Sequence, residues 1–131
     1  MTEKELVSIA FEAMKMSYSP YSHFKVGAAL LCDDGSVYSG CNIENASYGA
    51  TNCAERTAIF KAVSEGKRDF RMLAVVGDEF ALPCGICRQV IAEFCGGDFP
   101  IIVASEKETK KFTLSELLPS AFSGDSMNRS R

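Results

Sequence analysis

The chain reads as an α/β protein, a three-layer α/β/α sandwich in which helices cover both faces of a mixed five-stranded sheet. Three observations predict this. An Asp34-Gly35 turn joins two strand-like runs, the signature of an antiparallel hairpin. Two continuous apolar runs, Met72 to Gly77 and Pro100 to Ala104, have the character of strands buried on both sides. Helix-period segments alternate with those runs, and hairpin strands followed by βα units imply a mixed sheet with helices on both faces.

Thr2 and Glu5 stand at capping-box spacing, and Leu6, Ile9, Ala10, Ala13 and Met14 recur at helical intervals, so a helix opens the chain. Tyr18-Ser19-Pro20-Tyr21-Ser22 ends it. Phe24 to Cys32 is mostly apolar and reads as a strand, with Ser36 to Cys41 as its hairpin partner. Asn42 to Asn52 is polar and reads as a loop that carries function. Cys53 to Glu65 is a helix with Ala58, Ile59, Ala62 and Val63 on one face and Gly66 at its C-terminal end. The Met72 to Gly77 strand and a Pro83-Cys84 turn lead into a second inner helix, Gly85 to Phe94, closed by Gly96-Gly97. The strand Pro100 to Ala104 follows, then a solvated turn from Lys107 to Lys111, a brief edge strand at Phe112 and a short helix from Leu114 to Leu118. Residues 123–131 are polar and read as a flexible tail. No repeat or linker divides the sequence, so residues 1–131 are expected to form one domain.

Composition narrows the function. A chain of 131 residues, 47% hydrophobic and 24% charged, is ordinary for a globular domain. A net charge of −3 and a pI near 5.2 speak against a nucleic-acid partner, whose binding domains are strongly basic; a small polar substrate fits better. No apolar run is long enough to cross a bilayer, and Met1-Thr2-Glu3-Lys4-Glu5 is unlike a secretory signal, so no membrane partner is expected. Six cysteines could staple a secreted mini-protein, but a chain this rich in core residues has no need of staples. Reduced thiols in the cytoplasm, some binding metal, are the expectation.

The chemistry concentrates in Cys53-Ala54-Glu55 and Pro83-Cys84-Gly85-Ile86-Cys87. Three thiolates can hold zinc and leave its fourth position open, as catalytic sites do, whereas structural sites close the tetrahedron. Cys41 or Cys95 as a fourth ligand would make a closed, non-enzymatic site, and the C-x-x-C pair alone could be a redox dithiol. Both halves sit where a loop enters a helix, so two helix N-termini would offset thiolate charge and favour the thiolate form. Arg56, one turn beyond Cys53, could hydrogen-bond the sulfurs. Glu55 and Cys53 can reach one ion only if the helix begins there, and a carboxylate in that place can move protons to and from water. His23, the single histidine, is assigned a structural or surface role, and Cys32, Cys41 and Cys95 read as small buried apolar residues.

Taken together, Cys53-Ala54-Glu55-Arg56 and Pro83-Cys84-Gly85-Ile86-Cys87-Arg88-Gln89 resemble the cytidine deaminases of the small, homotetrameric, zinc-dependent kind. The resemblance extends through Phe24-Lys25-Val26-Gly27-Ala28-Ala29-Leu30, Asn42-Ile43-Glu44-Asn45-Ala46-Ser47-Tyr48-Gly49 and Leu118-Pro119-Ser120-Ala121-Phe122, nearly the whole chain. It implies that Cys53, Cys84 and Cys87 ligate one Zn2+ per subunit and that Glu55 shuttles protons. It further implies that Asn42 and Glu44 hydrogen-bond the ribose 3′-hydroxyl, that Phe24 stacks on the pyrimidine, and that the Ala54 N–H bonds the base carbonyl. Ala46 and Tyr48 would cross to another subunit near the ribose, and Phe122 would reach the base in a neighbouring site. The implied reaction is hydrolytic deamination of cytidine and 2′-deoxycytidine to uridine and 2′-deoxyuridine with loss of ammonia, a step of pyrimidine salvage. A grip on the 3′-hydroxyl favours the free nucleoside over a polynucleotide. Leu82 departs from the family, which usually has Ser or Thr before Pro-Cys; the family contact there uses a backbone carbonyl, which Leu retains. Blasticidin-type deaminases share the zinc motifs but differ at Asn42-Ile43-Glu44.

Overall fold

A computed structural model describes residues 1–124; the tail expected from residue 123 lies, from 125 to 131, outside the described residues. Helix α1 (Glu3–Met14) starts where its cap places it. Thr2 Oγ1 accepts the Glu5 N–H at 3.1 Å, and Glu5 Oε1 accepts the Thr2 N–H at 2.9 Å. Two N–H groups that the helix cannot satisfy internally are thereby paired.

Strands β1 (Val26–Cys32), β2 (Val37–Cys41), β3 (Phe70–Gly77), β4 (Pro100–Ala104) and β5 (Thr109–Thr113) form one sheet in the order β2-β1-β3-β4-β5. Every neighbouring pair is antiparallel except β3 and β4, which are parallel. A parallel pair needs a crossover, and α3 (Gly85–Phe94) supplies it. The mixed five-stranded sheet expected from the sequence is thus present.

Side-chain alternation along the strands divides the interior into two layers. Ala29, Leu31, Ala74, Val76, Ile102 and Ala104 face Leu6 and Ala10 of α1. On the other face, Leu30, Leu73, Val75, Ile101 and Val103 meet Ala58 and Ile59 of α2 (Ala54–Ser64), Ile91 of α3, and Leu114 and Leu117 of α4 (Leu114–Leu117). Central β1 is buried on both faces, whereas β5 leaves Thr109, Lys110 and Lys111 exposed, charges that guard an open sheet edge.

Two glycines let helices approach the sheet closely. A Cβ on Gly27 would lie 2.1 Å from the Ala10 carbonyl oxygen of α1. A Cβ on Gly40 would lie 2.6 Å from the Ala58 nitrogen and 2.8 Å from the Ala54 oxygen of α2. Gly40 therefore fixes how far the N-terminal end of α2 projects over β2.

Several expected boundaries shift. Strand β1 begins at Val26, leaving Phe24 in the preceding bend, because the Asn42 side chain takes both backbone groups that would extend the ladder. Its Nδ2 donates to the Phe24 carbonyl at 2.7 Å, and its Oδ1 accepts the Val26 N–H at 2.9 Å. The turn expected over Lys107 to Lys111 is partly strand, since Ile102 and Val103 of β4 pair with Lys111 and Lys110. Within the loop after β2, Ile43 bridges to both Tyr18 and Asn52, and Tyr48–Ala50 makes a single 3₁₀ turn. Cys32 is buried as expected, but Cys41 and Cys95 are only half-buried, both lying near sheet or helix ends.

Candidate active site

Cys53 is the N-cap of α2 and Cys84 the N-cap of α3. Their extended backbones hand the chain into each helix, so two sets of unpaired N–H groups converge on one point. Cys87, on the first turn of α3, faces the same point. The three Sγ atoms lie within 4.8 Å of one another. Cys84 Sγ is 3.7 Å from Cys53 Sγ and 3.4 Å from Cys87 Sγ. Tetrahedral zinc with Zn–S bonds of about 2.3 Å would set sulfurs roughly 3.8 Å apart, so the trio needs little adjustment to take the ion. Neither Cys41 nor Cys95 joins the cluster among the described residues, so the four-sulfur alternative finds no fourth thiol.

Arg56 brings the compensating charge. Its Nη2 donates to Cys53 Sγ at 3.3 Å. Its Nε is buried without a hydrogen-bond partner among the described residues. A half-buried cation bonded to one sulfur of the cluster is best satisfied when that sulfur is anionic, as metal ligation requires. Interaction with the neighbouring Cys87 sulfur, helped by Arg56 and Cys84, holds the Cys53 thiol below its usual range despite partial burial. Cys87 shifts the opposite way, because the neighbouring Cys53 sulfur and its own burial favour the protonated form.

Glu55, only 4% exposed, is a charged-type residue buried beside the cysteines. Removal from water pushes its carboxyl up to about 7, with the neighbouring Cys53 adding to the shift. Such a group can gain or lose a proton near neutrality.

Cys53, Glu55 and Cys84 form the inner wall of a cleft of about 270 Å³. The cleft opens where β1 starts, β3 ends and the chain leaves β2, so sheet termini and two helix N-termini frame it together. Val26, Val75, Val76 and Gly77 supply apolar surface, and the expected residues Phe24, Asn42, Glu44 and Ala54 line it together with Leu82. Leu82, 42% exposed, stands at the rim.

Asn42 and Glu44 are both tied into the scaffold. Besides its backbone bonds, Asn42 Oδ1 accepts from Ser17 Oγ. Glu44 Oε1 accepts the N–H groups of Tyr21 and Ser22 at 2.9 and 3.1 Å, and Oε2 accepts the Ser22 hydroxyl. These bonds hold the Glu44 carboxyl below its usual range, the Ser22 hydroxyl contributing most. The bend they create puts His23 at φ 59°, a left-handed conformation unusual for a residue with a side chain. His23 is exposed, in keeping with a structural or surface role.

Three residues expected to bind substrate are not brought to the walls of this chain's cleft. Tyr48, 82% exposed, borders an outer chamber with Tyr21, Ser22, Glu44, Asn45 and Thr51; Ala46 lines neither chamber. Phe122 is 59% exposed, and its backbone carbonyl accepts from Gln89 Nε2. Sequence reasoning missed Ser22, which joins both chambers, because its contacts to Glu44 span 22 positions. It also gave no role to Thr57, whose hydroxyl lies 3.1 Å from the Cys53 carbonyl and 3.1 Å from the Cys41 carbonyl. Arg88 appeared only as part of a motif; its Nε donates to the Pro83 carbonyl at 2.7 Å and its Nη1 to the Leu117 carbonyl at 2.6 Å, bracing the cysteine turn against α4.

The chain is similar to known proteins. The cytidine and deoxycytidylate deaminase zinc-binding region matches residues 1–103. A cytidine deaminase of Sporosarcina psychrophila is 51% identical, over 98% of this chain and 96% of its own length. One from Halalkalibacterium halodurans is 53% identical, over 98% of this chain and 99% of its own. The crystal structure of cytidine deaminase from Burkholderia pseudomallei superposes with a TM-score of 0.90 at 45% identity, covering 93% of this chain and 100% of that one.

Proposed function

We infer the activity from the premise that the chain belongs to the cytidine and deoxycytidylate deaminase family. It is a zinc-dependent enzyme that deaminates cytidine and 2′-deoxycytidine to uridine and 2′-deoxyuridine. The observation that carries this reading is the buried Glu55 carboxyl beside a three-sulfur cluster at the end of a nucleoside-sized cleft.

Cys53, Cys84 and Cys87 would hold one zinc ion. Their sulfurs have suitable spacing, their donor set suits zinc, and Arg56 and two helix N-termini offset their charge. When bound, zinc supplies a Lewis acid that makes water a nucleophile near neutral pH. Glu55 takes a proton from the attacking water and delivers it to N3 of the base. Water oxygen adds at C4, the C4–N4 bond breaks, and Glu55 serves the departing amino group, so that cytidine and water give uridine and ammonia. Burial keeps the proton on this shuttle from being exchanged with bulk solvent.

Phe24 would stack on the pyrimidine, and the Ala54 N–H at the first turn of α2 would bond the base carbonyl. Asn42 still has one amide N–H uncommitted after its bond to Phe24, and the Glu44 oxygens retain lone pairs, so the two can donate to and accept from the ribose 3′-hydroxyl. A free nucleoside suits this grip better than a strand, and the net charge of −3 speaks against a nucleic-acid partner.

The homotetramer enters as part of the same proposal. Tyr48 and Phe122 expose aromatic surface that a neighbouring copy would use, with Ala46 beside Tyr48 on the crossing loop. One domain, acting in the cytoplasm, is consistent with six free cysteines. Among the described residues no helix is long and apolar enough to cross a membrane.

The test is product analysis with the zinc-loaded protein. Cytidine should yield uridine and ammonia in equal amounts, whereas equal turnover of single-stranded DNA would overturn the free-nucleoside assignment.

A further inference from the structure

We propose that Ser22 is a positioning residue, one hydroxyl that joins the sugar-gripping carboxylate to the aromatic wall of the base site. The proposal deepens the reading above and rests on its placement of Glu44 at the ribose 3′-hydroxyl. Ser22 Oγ does two things at once. It donates to Glu44 Oε2 and accepts the Phe24 N–H at 3.0 Å. A hydroxyl has one proton to give and lone pairs to receive with, so both roles are filled without conflict. Ser22 and its neighbour Tyr21 also send their backbone N–H groups to Glu44 Oε1. Both carboxylate oxygens are therefore oriented by one short segment.

That segment is built to hold this shape. His23 N–H closes the bend onto the Ser19 carbonyl at 3.0 Å, and His23 itself sits at φ 59°. Left-handed backbone at a residue with a side chain costs energy and persists only where surrounding bonds over-determine it. The bonds to Glu44 and through Ser22 to Phe24 are those constraints. Ser22 also lines both the inner cleft and the outer chamber, as Glu44 does. Without it Glu44 keeps its charge and its two backbone partners but loses the bond that fixes Oε2, the oxygen left free to turn.

Cytidine and 3′-deoxycytidine are to be compared as substrates of the zinc-loaded protein and of its Glu44→Gln, Ser22→Ala and Ser22→Thr variants. Loss of a hydrogen bond to a charged group predicts that Ser22→Ala raises KM for cytidine about 10-fold and changes kcat less than about 2-fold. The same variant should change KM for 3′-deoxycytidine less than about 3-fold, and Ser22→Thr, which keeps a hydroxyl, should restore most of the loss. If Ser22→Ala does not fold, Ser22→Cys, with similar volume and a weaker donor, is read by the same ratio. Losses equal on both substrates, or Ser22→Thr behaving like Ser22→Ala, overturn the proposal while Glu44→Gln still discriminates between them. Equal losses for Glu44→Gln overturn the sugar grip itself.

Discussion

Glu55 and Arg56 are adjacent in sequence yet do opposite electrostatic work. Burial favours the neutral carboxyl of Glu55, which lets it carry a proton, while Arg56 favours negative charge on the sulfurs beside it. Glu55→Gln keeps the volume and removes the proton carrier. It should lower kcat by about 10²–10⁴-fold while the protein retains one zinc per chain, measured by steady-state kinetics with metal analysis. Full turnover with full zinc would sink the assignment. Arg56→Ala removes the donor to Cys53 and should weaken zinc retention about 10–100-fold, read by competition with a chromophoric chelator. Unchanged retention would mean that the helix N-termini alone balance the thiolates.

Among the elements, α2 matters most, because its first turn carries Cys53, Ala54 and Glu55 to the cleft. Gly40 sets its distance from β2. Gly40→Ala would force a methyl against the backbone of Ala54 and Ala58, costing about 1–3 kcal/mol in denaturant unfolding and lowering zinc occupancy. Native stability with native zinc content would show that α2 has room to shift. At α1, the Thr2 cap holds the Glu5 carboxyl below its usual value. A depressed carboxyl stabilises the fold above its unfolded pKa, and that contribution disappears as pH falls through the lower folded value. Glu5→Gln should therefore flatten the acid limb of Tm against pH below about pH 5, and leave less of a difference the further pH falls. An unchanged pH profile would mean that the cap contributes nothing through charge.

Across the whole molecule, local signals were legible and distant ones were not. Helix α3 and strand β4 have the bounds their sequence suggested, since a Pro-Cys turn, a Gly-Gly stop and an unbroken apolar run are features of neighbouring residues. The cysteine cluster was legible for the same reason, as each half is a compact motif at a helix start. Phe24 was misplaced within β1 because its carbonyl is claimed by Asn42, 18 positions away. The full length of β5 was hidden because pairing with β4, and not its Lys-rich sequence, makes it a strand. Assembly is decided at this scale too. The zinc-loaded protein should sediment at about four times its 14.2 kDa chain mass, and an active monomer would remove the cross-subunit roles of Ala46, Tyr48 and Phe122. The most direct test of the central claim follows the loss of cytidine absorbance before and after zinc is stripped by a chelator. Activity should vanish with the metal and return with one equivalent of Zn2+ per chain; turnover by the metal-free protein would contradict it.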